Sequence, residues 1–240
     1  MIFAFLLQRG IQNLSNWSVM MLVDEIINQV IQAVPCCSAW IIPIETLNVR
    51  EREFFQKTAY GFKTAIVLGH HITENSEWKW RLLEDHSEFC NADFHTMSIC
   101  YKLEKEIKRY GFKTMVVPYP GESGLNFKFV AAAAGAGEIG TSALLLHPSW
   151  GPWIHLRILA TNADTIARPI SRISVCSRCG KCIAFCPASA IRNDCFNGLA
   201  CRGHRTTKGE YIPSGLENEL KYCTICADVC PIGRKPKGCG

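Results

Sequence analysis

From Met21 to Val34 the apolar positions recur every three to four residues and stop before Pro35, which predicts a helix over 21–34. Residues 39–44 read as a short strand, and 51–60 as a helix closed by Gly61. The stretch Tyr60-Gly-Phe-Lys-Thr-Ala-Ile-Val-Leu returns as Tyr110-Gly-Phe-Lys-Thr-Met-Val-Val-Pro. Each copy reads as a helix end, a capping glycine and a buried β-branched strand. Two copies fall short of the three that a solenoid needs, so the echo is read as a reused helix-to-strand junction.

Between the copies, residues 75–109 are long, mostly polar and helical in pattern. A loop follows at 118–124, then a short helix at 127–134, a glycine turn at 135–140, and strands at 144–146 and 153–161. Residues 167–170 read as a linker. Helices and strands are mixed through 21–165, the pattern of an α+β sheet domain.

Composition changes this picture little until cysteine is counted. The chain has 240 residues, is 48% hydrophobic and 20% charged, and carries a net charge of +5. Those values exclude a disordered chain and give no reason by themselves to expect nucleic-acid binding. The N-terminus opens with a short apolar run, Met1-Ile-Phe-Ala-Phe-Leu-Leu, far below the ~20 residues that cross a bilayer, so no membrane partner is expected and residues 1–20 are read as an extension.

Fourteen cysteines are present, ten of them within 176–240. The first run is Cys176-Ser-Arg-Cys179-Gly-Lys-Cys182-Ile-Ala-Phe-Cys186-Pro187, and the second is Cys223-Thr-Ile-Cys226-Ala-Asp-Val-Cys230-Pro231. The first has the C-x2-C-x2-C-x3-C-P spacing of proteins with two [4Fe–4S] clusters, in which the fourth cysteine crosses to the other cluster. By that pattern one cluster takes Cys176, Cys179, Cys182 and Cys230. The other takes Cys186, Cys223, Cys226 and a further thiolate, for which Cys195 and Cys201 are candidates. Zinc would want four ligands in two pairs, and the continuous run overshoots that need. Iron-binding thiolates must stay reduced, which points to the cytoplasm. Arg178, Lys181, Lys221, Arg234, Lys235 and Lys237 are read as solvated surface or as a docking face for an acidic electron donor such as a flavodoxin or ferredoxin.

Further residues could serve chemistry or packing. His70-His71, after the strand read at 65–69, are candidate ligands for cobalt or another metal, against the plainer reading that polar neighbours satisfy them. His147 and His155 read as structural, Cys90 and Cys100 as small apolar fillers, and Trp150, Trp153 and Phe129 as core or cavity wall.

The order Ala131-Ala-Ala-Ala-Gly-Ala-Gly-Glu-Ile-Gly140, Leu144-Leu-Leu-His-Pro-Ser-Trp-Gly-Pro152, Leu156-Arg-Ile-Leu-Ala-Thr-Asn162, then the cysteine runs, resembles the epoxyqueuosine reductase and reductive dehalogenase group over about residues 113–236. The resemblance implies a nitroreductase-like α+β core over 21–167, then a small ferredoxin-like domain with two [4Fe–4S] clusters over 168–240. It places a cysteine near Cys201, making that residue the eighth ligand.

It further implies a cobalamin held by the core, with Lys128, Gly135, Gly137 and Gly140 as cofactor-binding candidates, and super-reduced cobalt(I) acting on a small-molecule substrate. Two other readings stand beside it: electron transfer to a corrinoid or partner corrinoid protein without an organic substrate, and an FMN-dependent reductase. The proton donor of epoxyqueuosine reductases aligns near Gly121, with Glu122 adjacent as a catalytic candidate. Reductive dehalogenases use a tyrosine with a basic helper, for which no position emerges here. Epoxyqueuosine reductases continue past the clusters into a helical repeat region that helps hold tRNA, whereas Gly240 follows Cys230 closely. A short form is therefore expected, with tRNA an unlikely partner.

Overall fold

The two most continuously apolar segments of the chain end up as neighbours in one sheet. The computed structural model describes residues 16–82, 88–119, 124–165, 173–193, 195–207, 211–214, 217–220 and 223–233. Its first half runs α1 (Asn16–Gln32), β1 (Cys37–Pro43), α2 (Val49–Thr58), β2 (Thr64–His71), β3 (Trp80–Leu82), β4 (Glu88–Cys90) and α3 (Asn91–Arg109). There follow β5 (Thr114–Val116), α4 (Phe127–Ala133), β6 (Glu138–Ile139), β7 (Leu145–Leu146) and β8 (Ile154–Thr161). The cysteine-rich part contributes α5 (Lys181–Ala184), α6 (Gly198–Thr207), β9 (Tyr211–Ser214), β10 (Glu217–Leu220) and α7 (Ile225–Asp228). This is an α+β architecture, as the mixed pattern predicts.

The main sheet has the order β1-β2-β8-β5, with every neighbouring pair antiparallel. Strand β8 is buried along its whole length, because helices cover both faces of the sheet. On one face Ile66, Leu68 and Leu159 pack with Leu22, Val23, Ile26 and Ile27 of α1 and with Ile99, Leu103 and Ile107 of α3. On the other, Ala65, Val67 and Ile158 meet Phe55 of α2 and Phe127, Val130 and Ala131 of α4. Each such isoleucine or leucine contributes about 1.5–3 kcal/mol when fully buried, so both faces hold the sheet.

The sequence echo has a structural counterpart. Gly61 and Gly111 share φ +83°, a conformation that glycine adopts without strain. The strands they launch flank β8 in equivalent register, with Thr64 and Thr114 both opposite Thr161.

Residues 75–109 depart from the helical expectation. Only Asn91–Arg109 is α-helix; before it come a 3-10 turn at Asn75–Trp78 and strands β3 and β4. The strands form a second sheet in the order β4-β3-β10-β9, so β3 gains its partner from the segment between the two cysteine runs. His70 and His71 are the last two residues of β2 rather than a loop beyond it. The linker expected at 167–170 and the N-terminal residues 1–15 lie outside the described residues.

The core and the cysteine-rich part also meet at Gly151 (φ +59°) and Gly233 (φ +77°). A Cβ on Gly151 would collide with the Ile232 carbonyl, and one on Gly233 with the backbone of Trp150 and Gly151. The two segments touch there through backbone.

Candidate functional site

The first cysteine run turns on Gly180, whose φ of +75° lets the chain double back into α5. That turn brings Cys176, Cys179 and Cys182 to the wall of one small cavity, and Cys230 joins them from beyond α7. Cys186, Cys201, Cys223 and Cys226 line a second cavity of about 300 Å³. Cys226 borders both. Cys195 lines neither and sits instead beside Cys176 and Phe196 in a third cavity. The geometry therefore separates the two thiols that spacing left open.

The thiols sense one another mostly within the same two groups. Burial, reinforced by Cys223, Cys201 and Cys186 and then by Cys182 of the other group, pushes the Cys226 thiol up to about 12. Burial and then Cys176 and Cys179 raise Cys182, and burial raises Cys230, with Cys176 and Cys179 adding to it. Four mutually repelling thiolates around one space need a cationic centre to share. Cys176 goes the other way: burial opposes its ionisation, but backbone amides of Thr141 and Arg178 and the Thr141 hydroxyl outweigh it and lower the thiol. Glu138 steadies the approach to this run, its Oε2 accepting from the amides of Val175 at 2.6 Å and Cys176 at 2.9 Å.

A larger cavity, about 570 Å³, opens between α4 and the second sheet. Leu125, Phe127, Leu145 and Ile154 give it apolar walls, and Trp80, Tyr119 and His155 an aromatic side. Lys128, Leu144 and Arg202 line both this cavity and the one that holds Cys186, Cys201, Cys223 and Cys226. The two spaces are thus separated by single side chains.

Behind the aromatic side lies a buried ion network. Arg157 grips Asp93 with both ends of its guanidinium, at 2.7 Å to Oδ1 and 2.6 Å to Oδ2, while His155 Nε2 lies 2.8 Å from Oδ1. Burial would raise the Asp93 carboxyl, but hydrogen bonds from His155 and Arg157, and then their charges, bring it down to about 2. The Tyr119 ring stacks flat on His155, centroids 5.9 Å apart, and the Arg157 guanidinium sits 4.7 Å from its centre. Tyr119 is thereby fixed at the cavity wall beside a permanent cation. His155 reads as structural in the sequence, and its place in this network could not be found there, because Asp93 is 62 residues away.

Among the cofactor-binding candidates, Lys128 lines the large cavity, with its Nζ donating to the Ala143 carbonyl at 2.6 Å. The three glycines do not line it. Gly135 makes a left-handed turn at φ +86° after α4. A Cβ on Gly137 would strike the Leu146 carbonyl, and one on Gly140 would crowd the Leu146 side chain and lie 3.5 Å from Cys176 Sγ. At Gly137 and Gly140 the lack of a side chain serves the close pairing of β6 with β7 and the approach to Cys176. Glu122 lies outside the described residues. Trp153 is core, Trp150 stacks on His71, and Phe129 is half exposed.

Residues 175–233 match the family described as a 4Fe-4S double cluster binding domain. An epoxyqueuosine reductase from Lactococcus garvieae is 32% identical over 111 residues, covering 44% of this chain and 31% of that protein. The chain resembles epoxyqueuosine reductases. The chain spans about a third of the length of three curated relatives it matches. In structure it is similar to an epoxyqueuosine reductase solved with an epoxyqueuosine-modified tRNA-Tyr stem loop, at TM-score 0.64 and 19% identity, covering 89% of this chain and 65% of that one. It is also similar to a reductive dehalogenase whose structure suggests a mechanism for B12-dependent dehalogenation, at TM-score 0.60 and 19% identity, covering 82% of this chain and 30% of that one. At these identities the structural likeness establishes the shared fold.

The expectation that tRNA is an unlikely partner is overturned. It rested on modest net charge and on a missing C-terminal repeat region, yet an epoxyqueuosine reductase with this fold was solved with a tRNA stem loop. Net charge was a poor guide because a fold gathers basic side chains from distant segments, as Arg50, Lys128 and Arg202 gather at the rim of the large cavity. Among the described residues, no helix is long and apolar enough to cross a membrane.

Proposed function

We propose that this chain is a cytoplasmic iron–sulfur oxidoreductase of the epoxyqueuosine reductase type. Residues 168–240 hold two [4Fe–4S] clusters, one on Cys176, Cys179, Cys182 and Cys230, the other on Cys186, Cys201, Cys223 and Cys226. The 21–167 core holds a cobalamin in the large cavity. The observation that carries this reading is the shared wall of Lys128, Leu144 and Arg202 between the second cysteine cavity and the large one. Such adjacency is what single-electron delivery to a bound acceptor requires.

The residues present fit both groups. Eight thiols fall into two sets of four, the number each cube needs. A broad corrinoid ring needs a wide cavity with an apolar floor, which Leu125, Phe127, Leu145 and Ile154 supply. When bound, the clusters supply low-potential electrons and the cobalamin a strongly reducing cobalt centre. The protein's part is positioning: Lys128 and Arg202 place positive charge at the cavity rim, and Tyr119 presents a phenol there. We assign Tyr119 the role of proton donor, because His155 and Arg157 hold its ring rigidly beside a cation that favours phenolate once the proton has left. The flavin alternative finds no support among the relatives.

The substrate to test first is an epoxyqueuosine-bearing tRNA stem loop, following the relatives' names. Anaerobic purification followed by iron, cobalt and flavin analysis is the deciding experiment. About eight irons per chain are expected, with a shift in the visible spectrum of added cobalamin and turnover of the modified stem loop. Eight irons without corrinoid binding at micromolar levels overturns the cobalamin assignment. Corrinoid reduction without stem-loop turnover leaves an electron-transfer protein.

A further inference from the structure

Cys37 opens β1, and His70 stands directly opposite it in the antiparallel register with β2. Residues so placed project to the same face of a sheet, and His70 Nδ1 lies 3.4 Å from Cys37 Sγ. Helix α3 brings His95 against this face, its ring centroid 4.8 Å from that of His70. One donor atom from each of the three residues lies within 4.8 Å of the other two.

The surroundings are those of a ligand set. His70 turns its second nitrogen, Nε2, to Glu77 Oε2 at 2.9 Å. Glu77 is held in turn by Thr73, whose hydroxyl donates to Oε1 at 2.8 Å. A carboxylate behind a histidine fixes the tautomer that leaves Nδ1 bare for a metal. His95 Nε2 is buried and has no hydrogen-bond partner among the described residues, an arrangement that a folded protein keeps only for a reason.

For the Cys37–His70 pair the spacing is also that of a metal site, and His95, within 4.8 Å of both, would close in on the ion. Zn–S of about 2.3 Å and Zn–N of about 2.0 Å at a tetrahedral angle separate sulfur from nitrogen by about 3.5 Å, against the 3.4 Å found. One thiolate with two imidazoles suits zinc and excludes calcium and magnesium. None of the three residues lines the cysteine cavities or the large cavity.

We propose that Cys37, His70 and His95 bind a zinc ion, with Glu77 as the carboxylate behind His70 and water in the fourth position. The ion replaces the proton of the Cys37 thiol, which leaves to solvent. It ties the edge strand β1 to β2 and α3, in a place that neither the clusters nor the large cavity reach.

The full chain, purified anaerobically with its clusters in place and dialysed against micromolar zinc sulfate, tests this by elemental analysis. About one zinc is expected beside the cluster iron. Cys37→Ser and His95→Gln each lose that zinc and keep the iron, while Glu77→Ala weakens zinc binding about 10–100-fold. Cobalt(II) in place of zinc gives the wild type a thiolate-to-metal charge-transfer band that Cys37→Ser lacks. Full iron without stoichiometric zinc, or zinc that persists in both ligand variants, overturns the site. Should both variants fail to fold, the wild-type cobalt(II) spectrum decides, and absence of the thiolate band overturns the proposal. Because the readout is metal content, it stands apart from any failure to bind corrinoid or to turn over a stem loop.

Discussion

Gly151 and Gly233 lie backbone to backbone: a Cβ on Gly233 would strike the Gly151 amide nitrogen, and one on Gly151 the carbonyl of Ile232 just before Gly233. They join the loop before β8 to the segment just past Cys230 and Pro231, so this contact between the core and the cysteine-rich part depends on two missing side chains. Both also hold a left-handed φ.

Gly151→Ala is therefore expected to destabilise the protein through strain and overpacking, by roughly 1–3 kcal/mol for the overpacking alone, and to loosen Cys230. Gly61→Ala is the control: its φ is +83°, but open space surrounds it, so only the backbone cost of about 1–2 kcal/mol applies. Thermal unfolding together with iron content separates them. Gly151→Ala should lose iron at temperatures where Gly61→Ala keeps it, and equal iron retention would show that the contact is dispensable.

Cys201 and Cys195 make opposite predictions. Cys201 shares a cavity with Cys186, Cys223 and Cys226, and Cys195 does not. After anaerobic reconstitution, Cys201→Ser should hold about half the wild-type iron, one cube of four having lost a thiolate, and Cys195→Ser should hold all of it. Electron paramagnetic resonance of the reduced proteins should show one cluster signal missing only in Cys201→Ser. The reverse pattern would move the eighth ligand to Cys195.

How far the chain could be read in advance depended on whether a signal was local. The apolar runs of β2 and β8, the glycine junctions at Gly61 and Gly111 and the two cysteine runs each lie within a few residues, and each was legible. Strands β3 and β4 were not, because their polar stretch forms only a short local ladder and gains its further partner from β10, over a hundred residues later. The network of Asp93, His155 and Arg157 was hidden for the same reason, since it joins a helix to a strand 64 residues away. His70 carried a local hint in its pairing with His71, but its partners Cys37 and His95 appear only when strand register and helix placement are known. The glycines of the 135–140 segment could not be assigned a role in advance, because a glycine required by tight chain packing looks the same, in sequence, as one required by a ligand.

Asp93 predicts an acid-sensitive core. Its carboxyl is held at about 2 in the folded chain against an ordinary 3.8. A depressed carboxyl contributes its stability above the ordinary value and loses it as pH falls through the folded one. The contribution is therefore complete above about pH 4 and disappears toward pH 2. Asp93→Asn should cost about 3–5 kcal/mol at neutral pH, because it leaves the Arg157 charge buried without its partner. Urea unfolding between pH 5 and pH 3 checks both: the wild type should weaken across this range, and the variant should weaken less. Equal slopes would show that the ion pair does not set the acid limit.

Glu138 sits in the glycine-rich segment but acts on the cysteines. Its Oε2 accepts from the consecutive amides of Val175 and Cys176, and those bonds hold its carboxyl below the usual range. The side chain thus fixes the backbone at the point where the first ligand of the first cysteine run leaves the core. Glu138→Ala would hand both amides to water and free Cys176 to move, although no thiol is removed. The expected result is full iron on anaerobic reconstitution, followed by severalfold faster bleaching of one cluster in air. Glu138→Gln, which keeps an acceptor oxygen without the charge, should restore most of the lifetime. Bleaching of all three proteins at one rate would show that Cys176 is positioned by the Thr141 contact instead, and Thr141→Val would then become the sensitive variant.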